Sequence, residues 1–233
     1  MRARWLAGSL ALAAAWLTAA AAAQPKTTAA DVFRLIDRNY SRIRDYRVDV
    51  ELSADVHSPR MHISGSRATI YFKRPNKVKV VAREGFALMP DTFPGDPVAA
   101  IKSEFNAAYA GTAKIDGEPA HVLTLVPKTT QAQGRMKLFV EKRRGLILGT
   151  KLQAGDFELK SRWTYARIDG KYWLPSEIKL EMQVRARVPN PDPDVKDARP
   201  SAPGKGRAVV RFSNYKVNRG IPDSLFVKTK VTK

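Results

Sequence analysis

The chain contains no cysteine in 233 residues and only three histidines. Without a thiol there is no disulfide, no CxxC redox pair and no thiolate metal site, and no cysteine to carry the lipid of a bacterial lipoprotein. Also missing are HExxH, GxSxG and a glycine-rich loop that could cradle phosphate. His57 and His62 stand near Asp55 on either side of Ser58–Pro59, and His121 lies far along the chain in a strand-like run. None has a motif around it, so each reads as a surface or turn residue. No catalytic residue, cofactor or metal is expected, and the chain reads as a non-enzyme.

Acid is also in short supply: 22 Asp and Glu stand against 41 Lys and Arg, a net charge of +19. Part of that charge sits in an opening segment with the three regions of a secretory signal. Arg2 and Arg4 precede a Leu/Ala/Trp run from Trp5 to Thr18, and Ala19 to Ala23 close it before Gln24-Pro25. Residues 1–23 are expected to be removed, and 24–233 to form one domain. Their loss takes two arginines and leaves 39 basic against 22 acidic side chains, or +17. Such a surplus calls for anionic company, and after export that means a membrane surface or acidic lipid headgroups rather than nucleic acid.

From Thr27 to Ile43 the apolar residues Val32, Leu35, Ile36, Tyr40 and Ile43 recur every three or four positions, and Thr28 precedes Asp31 as in a capping box. This is one amphipathic helix. Tyr46 to Val56 then alternates strictly between apolar and polar, as a half-buried strand does. Similar period-2 runs follow at 61–72, 77–82, 121–126, 136–140, 146–152, 157–165, 178–184 and 208–217, with Asp-Gly and related turns between them. Roughly nine or ten strands without interleaved helices predict an antiparallel meander, in a mainly β (α+β) domain. Such a sheet either closes as a barrel or stays an open half-barrel whose mouth needs a cover.

Two segments break the pattern. Residues 86–106 are rich in proline yet apolar at Phe86, Leu88, Met89, Phe93, Ile101 and Phe105, with a short helix expected from Pro97; this is a candidate lid. Residues 189–206, "PNPDPDVKDARPSAPGKG", have no apolar pattern and read as a surface loop without assigned function. The inner face of the sheet offers Leu52, Ile63, Ile70, Phe72, Val78, Val80, Leu138, Leu159, Trp163, Ile178, Leu180, Met182, Val210 and Phe212. A sheet lined this way either fills itself or holds an apolar ligand, and periodicity does not decide between them. At Lys73-Arg74-Pro75-Asn76 two strands meet at a stiff basic corner, where proline fixes φ and the guanidinium offers several donors in a planar fork.

The ordered segments "AADVFRLIDRNYSRIRDYRVDVEL", "GSRATIYFKRPNKVKV", "HVLTLVPK", "RMKLFVEK" and "FSNYKVNRGIPDSLFV" resemble the outer-membrane lipoprotein carrier (LolA-like) family. The resemblance covers most of the chain after the leader, and the Lys73 to Asn76 corner is its most specific motif. It implies an unclosed antiparallel half-barrel with a helical lid over an apolar cavity. It further implies a monomeric periplasmic carrier of acylated lipoprotein or lipid, loaded by an inner-membrane exporter and unloaded by an outer-membrane acceptor. In the family the arginine of this motif, here Arg74, is the latch that bonds to lid backbone. Related folds act as lipid- or lipoprotein-sensing regulatory modules, which stays open as the alternative. Exported protein should begin at Gln24 by intact mass and N-terminal sequencing; soluble exported protein retaining residues 1–23 would overturn the leader reading.

Overall fold

A computed structural model describes residues 27–57, 60–82, 96–129, 134–185 and 204–227. The expected leader lies outside the described residues, as do most of the 189–206 loop and the lid candidates Phe86, Leu88, Met89 and Phe93. Residues 204–206, expected as loop, instead open the last strand.

Helix α1 spans Ala29–Tyr40. Its start is the capping box: Asp31 donates its backbone N–H to Thr28 Oγ1 at 3.2 Å, and Thr28 donates its own to Asp31 Oδ2 at 2.8 Å. The stripe of Val32, Phe33, Leu35, Ile36 and Tyr40 is buried. Three strands follow, β1 (Asp45–His57), β2 (Arg60–Lys73) and β3 (Lys77–Ala82). Helix α2 (Pro97–Glu104) leads directly into β4 (Phe105–Ile115). The remaining strands are β5 (Glu118–Pro127), β6 (Arg135–Glu141), β7 (Ile147–Ala154), β8 (Phe157–Ile168), β9 (Tyr172–Val184) and β10 (Gly204–Val217). A one-turn 3-10 helix, Asp223–Phe226, comes last among the described residues.

All ten strands form one antiparallel sheet in the order β3-β2-β1-β10-β9-β8-β7-β6-β5-β4. The chain makes β1 to β3, crosses to the opposite edge, and returns strand by strand until β10 lies beside β1. The sheet is therefore an unclosed half-barrel with its gap between β3 and β4. Strand β4 was not expected, and Phe105 and Asn106 belong to it rather than to the lid. Its sequence, FNAAYAGTAKI, is mostly alanine, glycine and polar residues, which lack the branched and aromatic bulk that marks a strand. Its position on an edge, paired only with β5, is where such a sequence is tolerated.

One core runs along the inner face: α1 contributes Val32, Phe33, Ile36 and Tyr40, and the sheet adds Val48, Ile70, Phe72, Leu123, Leu138, Ile178, Val210 and Phe212 among others. The β6–β7 turn meets α1 closely. Gly145 has φ +73°, and a Cβ there would stand 2.3 Å from the Leu35 carbonyl oxygen. Both the left-handed backbone and the helix exclude a side chain. Gly145→Ala should lower unfolding stability in urea by about 1–3 kcal/mol, as strain at such positions costs; an unchanged midpoint would mean that α1 is not docked against this turn.

Candidate functional site

The peptide bond between Arg74 and Pro75, at the corner between β2 and β3, is cis. Arg74 is held on every side. Its backbone N–H donates to Arg44 O at 2.8 Å, Nε to Ile43 O at 2.8 Å, and Nη2 to Tyr40 O at 3.0 Å. A helix leaves its last carbonyls without internal partners, and this guanidinium supplies partners just past the end of α1. Asn218 completes the same junction: its Nδ2 donates to Arg42 O at 2.9 Å, and its Oδ1 accepts from Arg44 N at 2.7 Å.

The third side-chain bond of Arg74 goes to the lid. Nη1 donates to Asp96 Oδ2 at 2.7 Å. The other oxygen of the same carboxylate caps α2, accepting from Val98 N at 3.1 Å and Ala99 N at 3.0 Å. One carboxylate, only 11 % exposed, thus joins the corner to the start of the helix. Asp37 on α1 is affected by this crowding: burial and then the Asp96 charge push its carboxyl up, with Lys102 and Arg74 pulling the other way. Lys102 also lies 5.3 Å above the Phe33 ring, seating α2 on α1. At its other end α2 is continuous with β4, and Lys128 N donates to Glu104 O at 2.9 Å. Helix α2 therefore bridges the two sheet edges.

Behind α2 lies a cavity of about 820 Å³. Its wall includes Phe72, Val78, Leu125, Met136, Leu138, Ile147 and Trp163, with Ile101 of α2 and Phe105 at the start of β4. Asn76, Asp96, Ser103 and Glu104 contribute the more polar part. Of the inner-face residues expected from alternation, Phe72, Val78, Leu138 and Trp163 line this space. Ile70, Ile178, Val210 and Phe212 do not; they are buried with α1 in the core, while Leu52, Val80 and Leu180 pack against that core. The difference is due to α1, whose apolar stripe fills that part of the trough. Ile63, Leu159 and Met182 are half-buried and lie outside the cavity lining.

Alternation alone missed Leu125, Met136 and Ile147 as lining residues, although each falls on an expected strand. The histidines do not converge: His57 and His62 are exposed on β1 and β2, while His121 sits on β5, 3.4 Å from the Tyr109 hydroxyl. Burial and then Lys142 push the His121 pKa down.

Solved structures of other proteins share this fold at low identity. The fold is similar to that of solved LolA superfamily structures. A LolA superfamily protein from Nitrosomonas europaea matches with a TM-score of 0.57 and 14% identity, over 87% of this chain and 99% of that one. A Vibrio parahaemolyticus domain named for outer membrane lipoprotein sorting matches at 0.51 and 8% identity, over 83% and 95%. A DUF1329 family protein from Desulfovibrio piger matches at 0.51 and 14% identity, over 84% and 95%. No family model and no curated protein matches the chain.

Within this LolA-like fold, Arg74→Leu removes three side-chain bonds but none of the sheet ladder. Amides of α2 should exchange at least about 10-fold faster, the scale of a lost bond to a charged group, while protection of β1 and β10 stays. Unchanged protection at Val98 and Ala99 in hydrogen-exchange measurements would show that Asp96 does not need Arg74.

Proposed function

We propose that this chain is a periplasmic carrier that takes up the acyl chains of lipoproteins, or of other lipids, and moves them toward the outer membrane. The observation that carries this reading is the cavity of about 820 Å³ between an apolar sheet face and a bridging helix. The fold relative named for lipoprotein sorting supports the same reading. A buried methylene is worth about 0.8 kcal/mol, so some ten of them offer roughly 8 kcal/mol before the costs of association. That suits a carrier, which must also let go.

Release requires the lid and the sheet to re-cover the surface that the ligand occupied, so open and closed states lie close in free energy. Arg74 acts as the latch in this reading, since its bond to Asp96 ties the corner to the lid helix. The mature charge of +17 keeps the carrier near anionic headgroups during loading and unloading. An inner-membrane exporter and an outer-membrane acceptor are its partners, and the working form is a monomer without cofactor.

Native mass spectrometry of protein purified from periplasm tests this. Co-purifying lipid or a range of acylated proteins is expected. A ligand-free chain bound stoichiometrically to one membrane-spanning regulator would replace the carrier by a sensing module.

A further inference from the structure

The cavity wall holds a polar cluster whose proton positions follow from valence. Ser161 on β8 is 4 % exposed, and its Oγ accepts from Thr150 N at 2.9 Å and from Trp163 Nε1 at 3.0 Å. A serine hydroxyl has two acceptor lone pairs and one proton. Both lone pairs face N–H donors, so the remaining contact, 2.8 Å to Thr150 Oγ1, has Ser161 as the donor. Thr150 Oγ1 is then the acceptor, and its own proton is directed elsewhere.

Thr150 lies on β7 between Leu138 of β6 and Ser161 of β8, it is partly exposed, and it lines the cavity. Among the described residues no acceptor takes its proton. Around it the wall is apolar, with Met136, Leu138, Ile147 and Trp163. A lone donor in such surroundings gains most from a ligand oxygen that accepts and carries no proton of its own.

We propose that Thr150 is a hydrogen-bond donor to the carbonyl oxygen of an acyl ligand, selecting ester- or amide-linked chains over plain hydrocarbon. The assignment rests on the cavity being an acyl site. Trp163 serves as the anchor of the cluster: its indole N–H helps to fill the Ser161 lone pairs, which turns the Thr150 proton toward the ligand. Ser161 and Trp163 are positioning residues for this bond, and of the three only Thr150 donates to the cargo.

Titration of the mature chain by tryptophan fluorescence tests this, with methyl palmitate, palmitamide and an alkane of equal length as probes. Thr150→Val should weaken ester and amide binding by about 2- to 10-fold, the range of one neutral hydrogen bond, and leave the alkane unchanged. Thr150→Ser, which keeps the hydroxyl, should bind all three as the parent does. Thr150→Ala must show the same selectivity as Val if the hydroxyl rather than packing is responsible. Melting temperatures report whether each variant is folded. Equal weakening of alkane and ester, or no weakening of either, overturns the Thr150 assignment while the acyl cavity stands. If the parent protein binds none of the probes, the cavity reading fails and takes the assignment with it.

Discussion

The guanidinium of Arg74 is the contact on which the rest of the arrangement depends. It reaches three elements that have no backbone ladder in common: the end of α1, the turn after it, and the start of α2. One acceptor is the carbonyl of Tyr40 at the end of α1, one is the Ile43 carbonyl in the turn after it, and the third is a carboxylate already committed to capping another helix. The corner is braced from outside as well. Lys73 Nζ donates to Ile221 O at 2.8 Å, Lys77 Nζ to Asp223 Oδ1 at 2.9 Å, and Lys79 Nζ to Leu225 O at 2.8 Å. The lysines hold the closing 3-10 turn against edge strand β3, and the arginine points inward to the lid. With its outer side fixed in this way, the corner offers the lid a stationary anchor.

Electrostatics divide between the two faces of the sheet. The outer face carries interleaved pairs, such as Glu158 with Lys151 and Lys160, each at 2.9 Å. Those lysines hold the Glu158 carboxyl down at about 2, Lys160 contributing most. In these pairs Glu158 is covered while the two lysine side chains stay about half exposed, which keeps the outer face wet and patterned. At the mouth stand Arg74, Asp96 and Asp37, and behind them Phe72, Leu138 and Trp163 form an apolar wall. A ligand entering from water thus passes a charged rim before it meets the dry surface.

Much of this was legible in the sequence because period and chemistry agreed. The β1 alternation from Tyr46, the Thr28–Asp31 capping box and the Pro97 start of α2 all carry local signals strong enough to stand without tertiary context. Strand β4 carried none, since its alanines and glycines are held by pairing with β5 and not by their own preference. The cavity was harder for a different reason. Alternation marks Ile70, Ile178 and Phe212 as facing inward, and they do, but it cannot say where α1 will lie. Filled core and empty pocket share one face, and only the placement of a helix separates them. The Thr150–Ser161–Trp163 cluster was hidden as well, because polar residues at inward positions look like breaks in a pattern until their mutual bonds are seen.

The gap between β3 and β4 has a mechanical consequence. A closed barrel has a circumference set by its ladder, and no strand can move outward without breaking hydrogen bonds. Here the circumference is interrupted, so the molecule behaves as a split ring. Its radius can grow by a small change of twist distributed over nine strand pairings, with every ladder kept intact. Helix α2 sits across the split and sets how far the ring can spring.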